Sequence, residues 1–142
     1  MIIDKAQHYK EQVTALLAAE KLPITDIPEN LDNFFVATAG NKVIGVAGME
    51  IYGNYGLLRS VAIEPEHRGL GIADKLISHI ESLANSKKLS ALYLLTETAP
   101  EYFRNKGFVE IGREMVPEEI QCSSEFSHVC PVSAIVMKKS IL

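Results

Sequence analysis

The chain has 142 residues, 47% of them hydrophobic, and its 14 basic and 18 acidic side chains leave a net charge of −4. That size and apolar content suit one domain, residues 1–142, with a core of its own, and the interspersed charges offer no basic block or arginine-rich helix for nucleic acid. The longest apolar runs, such as VIGVAGMEI, are too short to span a bilayer, and MIIDKAQHYKEQ lacks the apolar core of a signal peptide, so a soluble cytoplasmic protein is the expectation.

Taken in chain order, Ile2 and Ile3 begin a strand. Residues from about 5 to 20 read as a helix, with Val13, Leu16, Leu17 and Glu20 at helical spacing. LPITDIPEN carries two prolines and reads as a loop. FFVATAGNKVIGVAGMEIYG reads as two strands joined by a turn at Gly40-Asn41. A second turn near Gly53, Asn54 and Gly56 leads to a third strand, LLRSVAI, and the three suggest an antiparallel meander. The period then changes. Ile72, Leu76, Ile77, Ile80, Leu83 and Ala84 form a helical stripe that ends near NSKK. ALYLLTE is the next strand and, following LLRSVAI through a helix, should lie parallel to it in a right-handed crossover. PEYFRNKGF reads as a short helix with Pro100 in its first turn and Gly107 as its stop. FVEIG is a strand, VPEEIQ a helical turn and SAIVMKK a final strand. The sum is an α/β fold: a mixed sheet with one central parallel βαβ unit and helices on its faces.

The two cysteines, Cys122 and Cys130, have no zinc-motif spacing, and His128 does not complete one. They read as ordinary thiols, and no metal site is expected.

HRGLGIA, residues 67–73, stands between the strand LLRSVAI and the helical stripe. The first N–H groups of a helix have no partner inside it, and the helix dipole favours negative charge there. Glycines let a phosphate approach the backbone closely, and Arg68 adds a full positive charge. A Walker A loop needs Lys-Ser or Lys-Thr after its last glycine, whereas Gly71 is followed by Ile72 and Ala73. A dinucleotide fold wants its glycines after the first strand of a longer array, and here they follow a meander. Alone, two glycines of this kind would mark only a strand–helix turn.

The neighbours add to that reading. RGLGIA fits the form [R/Q]-x-x-G-x-[G/A], with Arg68, Gly71 and Ala73 at the fixed places. Ahead of it stands LLRSVAIEPEHRG, and behind it LYLLTETAPEYFRNKGF. Together these segments resemble the GCN5-related N-acetyltransferase (GNAT) superfamily, over most of the chain from about residue 30 onward. The resemblance implies a GNAT-like, mostly antiparallel mixed sheet and acetyl-CoA as co-substrate. It implies that Val61, Ala62 and Ile63 contact the pantetheine arm where their strand splays from the next. It implies that Arg68, Gly69, Leu70, Gly71, Ile72 and Ala73 hold the pyrophosphate, with Phe103 also beside the cofactor.

The implied reaction is direct attack of an amine on the thioester, with a backbone N–H at the splay steadying the oxyanion. Such a reaction needs a base and is helped by an acid for the leaving thiolate. Many members of the superfamily carry that acid as a tyrosine four residues ahead of the Gly-Phe glycine. Here that place holds Phe103, and the tyrosine is Tyr102, about 100° away around a helix. Glu50, Glu97 and Glu64 are base candidates, Glu50 first because it ends the GVAGME strand. Arg59, alternating with Val61, is expected to clamp a substrate carboxylate, and Thr96 to contact the substrate. The bland alternatives are solvated glutamates and an ion-paired arginine.

LLRSVAIEPEHRGLGIADKL, LYLLTETAPEYFRNKGF and VPEEIQ…SSEFSHVCPVSAIVM further resemble an amino-acid N-acetyltransferase branch. That branch includes the acetyltransferase domain of N-acetylglutamate synthases and small arsenic-resistance-associated acetyltransferases. It implies the α-amine of a small amino acid, or of an analogue, as acceptor. A peptide or protein N-acetyltransferase and a non-catalytic acyl-CoA-binding sensor are the rival readings. The expected partner is a small-molecule amine, with no nucleic acid and no membrane, and apolar edge strands are compatible with a homodimer.

Overall fold

The computed structural model describes residues 1–123 and 134–141. Among them are strands β1 (Ile2–Lys5), β2 (Phe34–Ala39), β3 (Lys42–Tyr52), β4 (Tyr55–Ile63), β5 (Ala91–Thr96), β6 (Val109–Ile111) and β7 (Ile135–Ser140). The helices are α1 (Lys10–Ala19), α2 (Ile72–Ser86), α3 (Pro100–Asn105) and α4 (Glu118–Gln121). The strands form one mixed sheet in the order β1-β2-β3-β4-β5-β7-β6. The only parallel pairing described is β4 with β5, and the pairs β1–β2, β2–β3, β5–β7 and β6–β7 are antiparallel. The fold is thus the expected mixed α/β arrangement with a parallel unit in the middle of the chain.

Two compact units make up the chain. The first comprises Met1–Met49 and Leu58–Leu83. Its β2–β3 hairpin turns on Gly40 and Asn41, both left-handed at φ +58° and +67°, which is the pair of angles that a tight hairpin matching strand twist requires. Side chains alternate across a strand, so β2 sends neighbours to opposite faces. Phe34 and Val36 join Val13 and Leu17 of α1, together with Ala6, Leu31, Val43, Val46 and Ala62, in one buried cluster. Phe35 instead meets His79 of α2, with ring centroids 5.4 Å apart. Helices α1 and α2 therefore cover opposite faces of this part of the sheet. On the α2 face, a Cβ at Gly45 would lie 2.8 Å from Ile63 Cδ1 and close to Ile72 and Leu76, so the missing side chain is what lets α2 approach. Leu76 and Ile80 of α2 are fully buried, and each such side chain contributes roughly 1.5–3 kcal/mol.

The start of α1 differs from the sequence expectation. The chain stays extended through Lys5, which pairs with Phe35, and makes only a short 3-10 turn over Ala6–His8. Tertiary contacts account for the delay: Ala6 is buried in the core, and Gln7 Oε1 accepts the N–H of Leu31 at 3.0 Å.

The second unit comprises Glu50–Leu57 and the described residues from Ala84 onward. Here β4 and β5 pair over Tyr55↔Ala91, Gly56↔Leu92 and Leu57↔Tyr93, and β5 continues along β7 as far as Thr96↔Ile135. Leu57, Tyr93, Val116, Ile120 and Val136 form its core, with Tyr52, Tyr55, Leu95 and Ile111 packed around them. Burial, with the neighbouring Tyr55 and Glu119 adding to it, raises the Tyr93 hydroxyl above its ordinary pKa.

Helix α3 shows how local sequence sets a boundary. Pro100 opens it, where a missing N–H costs nothing. At its end the Gly107 N–H donates to Arg104 O at 3.1 Å and the Phe108 N–H to Phe103 O at 3.1 Å. This is the Schellman pattern, which places a left-handed residue after the helix; Gly107 has φ +96°. The apolar contact that accompanies the pattern is Phe103 on Phe108, edge to face at 5.8 Å.

Candidate active site

In the first unit, β4 ends at Ile63, a 3-10 turn covers Pro65–His67, and α2 starts at Ile72. Gly69 and Gly71 between them both take positive φ, +80° and +78°. A Cβ added at either would find nothing within 4 Å, so this backbone faces open space. The first hydrogen bond of α2 is Lys75 N–H to Gly71 O at 3.2 Å. The N–H groups of Gly71, Ile72, Ala73 and Asp74 thus precede the first full helical turn, at the positive end of the dipole. The Leu70 side chain is exposed, whereas that of Ile72 is buried under the sheet, leaving only its backbone for a ligand. Half-exposed Arg68 donates from Nε to Ile63 O at 3.3 Å and pairs with Glu20 at the end of α1. A cradle of helix-start amides beside an arginine fits an anionic group such as a diphosphate.

The strand before the loop has a feature that its sequence does not announce. Ser60 adopts φ +59° in the middle of β4, a conformation that a side-chain-bearing residue leaves unless its surroundings hold it. Arg59 Nε donates to Ser60 Oγ at 3.0 Å. Beyond this kink the Ala62 side chain enters the α1 core, so by alternation Val61 and Ile63 point to the α2 face. Arg59 itself, expected to clamp a substrate carboxylate, is 3% exposed. Its Nη1 and Nη2 atoms each bond a carboxylate oxygen of Asp26 at 2.8 Å. Such a fork already balances the guanidinium charge with one carboxylate.

Glu64 caps β4 and bonds Lys42 Nζ at 2.9 Å, with His67 Nδ1 3.3 Å from its other oxygen. The hydrogen bond from Lys42 chiefly, with the charges of Lys42 and His67, holds its carboxyl below the ordinary value, and the same pairing raises Lys42. A carboxylate made more acidic in this way is a weaker proton acceptor.

In the second unit, Glu50 is half-buried on β3, which runs two residues past it to Tyr52. Glu97 is exposed just after β5. Thr96 is buried, and its Oγ1 accepts the Ala99 N–H at 3.1 Å, setting the turn into α3. Tyr102 and Phe103 stand edge to face at 5.2 Å, and Lys106 Nζ lies 5.5 Å from the centre of the Tyr102 ring. Phe103 is buried while Tyr102 is half-buried, the divergence expected of adjacent helical residues. Cys122 is a free, exposed thiol. His128, Cys130 and most of the SSEFSHVCPVSA stretch lie outside the described residues. No group of three or more potential metal ligands occurs among the described residues. No described helix is long and apolar enough to cross a membrane.

Sequence reasoning missed the pairing of Glu20 with Arg68, that of Asp26 with Arg59 and the left-handed backbone of Ser60. Asp26 sits between the prolines of LPITDIPEN with nothing in its neighbours to mark it, and serine carries no signal for a left-handed backbone.

The family description "Acetyltransferase (GNAT) domain" matches residues 30–110. The chain belongs to the GNAT acetyltransferase family, whose enzymes use acetyl-CoA. An amino-acid acetyltransferase of Pseudomonas putida is 40% identical over 62 residues, which are 44% of this chain. The chain spans only 14% of the length of that relative. Among solved structures, a Mycobacterium tuberculosis protein in complex with CoA superposes with TM-score 0.82 at 21% identity, covering 100% of both chains. The N-acetylglutamate synthase of Neisseria gonorrhoeae, complexed with coenzyme A and N-acetyl-glutamate, gives TM-score 0.84 at 17% identity, covering 99% of this chain and 35% of that one. At these identities the structural likenesses establish the fold.

Proposed function

We propose that the chain is one acetyltransferase domain that moves acetyl from acetyl-CoA to the α-amine of a small amino acid or amino-acid analogue. The observation that carries this reading is the pair of left-handed glycines, open to solvent, at the N-terminus of α2. In this reading Arg68 and the amides from Gly69 to Ala73 hold the diphosphate. Val61, Ala62 and Ile63 offer backbone to the pantetheine arm, and Phe103 supplies an apolar surface to the cofactor. The donor supplies an activated acyl thioester: the amine nitrogen forms the new C–N bond and gives up a proton, the C–S bond breaks, and sulfur leaves as a thiol after gaining a proton.

In the second unit, Glu50 receives the proton of the acceptor ammonium, directly or through water. Tyr102 protonates the sulfur, and the Thr96 hydroxyl contacts the acceptor. The amino-acid class of acceptor is supported by the amino-acid acetyltransferase relative and by the N-acetyl-glutamate bound in the Neisseria structure.

The test is release of free CoA from acetyl-CoA against a panel of free amino acids and short peptides. Turnover on one or a few amino acids is expected. Turnover on peptides alone would replace the amino-acid reading with a peptide one. Tight acetyl-CoA binding with no turnover on any amine would make the protein a sensor.

A further inference from the structure

The loop between α1 and β2 is tied to β4 by a bidentate ion pair. Asp26, the central acid of LPITDIPEN, reaches across 33 residues of sequence to Arg59, with both guanidinium nitrogens at 2.8 Å from its oxygens. The pair is shielded, with side-chain exposures of 1% for Arg59 and 12% for Asp26. Buried charges of this kind are held by geometry, and removing one partner leaves the other stranded. The third guanidinium nitrogen, Nε, continues the chain of contacts by donating to Ser60 Oγ. Ser60 is the residue whose φ of +59° kinks the strand. The next peptide begins Val61-Ala62-Ile63, the segment assigned above to the pantetheine arm.

We infer that Asp26 is a positioning residue: acting through Arg59, it locks the Leu22–Asn30 loop and the Ser60 kink of β4 into one rigid piece. Arg59 serves as the fork of this lock rather than as a clamp for a substrate carboxylate. A bidentate arginine suits the task, because its planar fork fixes orientation as well as distance. A left-handed serine within a strand needs such support, since its own backbone preference opposes the kink. This inference rests on the acetyl-transfer reading only for what the locked strand does, not for the lock itself.

The experiment is amide hydrogen exchange on the full chain, compared for the unmodified protein, Asp26→Asn and Arg59→Lys. Asp26→Asn keeps the shape but removes the charge; Arg59→Lys keeps the charge but removes the fork. Both should speed exchange at least about tenfold in residues 22–30 and 60–63, while amides of α2 from Leu76 to Ile80 keep their rates. Calorimetry with coenzyme A accompanies it, and both variants should bind a few-fold more weakly. With any free amino acid that supports CoA release, KM for the amine should rise more than kcat falls. Unchanged exchange in the two segments would overturn the lock, and so would acceleration spread evenly over the chain. If Asp26→Asn does not fold, Arg59→Lys decides alone. Full coenzyme A affinity in a folded Gly71→Asp protein would sink the diphosphate assignment separately, without touching the exchange result.

Discussion

Gly71 stands before a helix and Gly107 after one, both with backbone angles that other residues avoid, at φ +78° and +96°. Their surroundings differ. A Cβ at Gly71 would meet nothing within 4 Å, whereas at Gly107 it would lie 3.2 Å from Lys139 Cε. The second glycine closes a Schellman cap whose carbonyls are satisfied by the chain's own amides. The first stands at a helix start, where the leading N–H groups have no partner within the helix. The glycine that ends α3 has the Lys139 side chain against it, and the one that precedes α2 faces open space.

The comparison breaks most sharply at Gly71. Gly71→Asp puts a charge where the diphosphate is proposed to sit, and coenzyme A affinity should fall at least about 100-fold by calorimetry. Retained affinity in a folded variant would make the loop a plain turn. Glu50→Gln asks whether proton handling belongs to the second unit. Turnover at neutral pH should drop about tenfold or more and recover in part at high pH, where the amine loses its proton to solvent. Coenzyme A affinity should not change, and an unaltered pH–rate profile would remove Glu50 as base. Gly107→Ala should cost about 1–2 kcal/mol in urea unfolding, through the left-handed strain, while coenzyme A affinity stays within about twofold. A large loss of affinity there would erase the distinction between the two glycines.

The smallest effect concerns Lys42 and Glu64, beside the glycine loop. Glu64 has a lowered pKa when folded, so its contribution is present above the unfolded carboxylate value, about 4.3, and fades as pH falls through the folded value. Lys42 has a raised pKa, so its contribution holds below the unfolded lysine value, about 10.4, and fades as pH rises through the folded one. Lys42→Gln should therefore flatten slightly both the acid and the alkaline limbs of a plot of melting temperature against pH. A curve identical to that of the unmodified protein would mean that solvent screens the pair completely.

What residues say about their immediate neighbours was legible in the sequence. Gly40-Asn41 specified a hairpin, Pro100 and Gly107 bounded α3, and the period of Ile72, Leu76, Ile77 and Ile80 specified α2 and its buried face. The α1 boundary was misjudged because a helical pattern yielded to strand pairing at Lys5 and burial at Ala6. The glycine loop was legible because its chemistry is carried by backbone and by contiguous residues.

By itself, then, the sequence determined the order of elements, the helix-start cradle and the family. The first two rest on turn chemistry, periodicity and short spacing, which act within a few residues, and the family on the resemblance of several motifs in order along the chain. Only the tertiary structure decided that Arg59 faces Asp26, that Arg68 faces Glu20 and that Ser60 is left-handed. The two ion pairs join residues 33 and 48 positions apart, and which carboxylate meets which arginine depends on how the strands and helices stack. The serine's conformation is held by the same packing, against its own local preference.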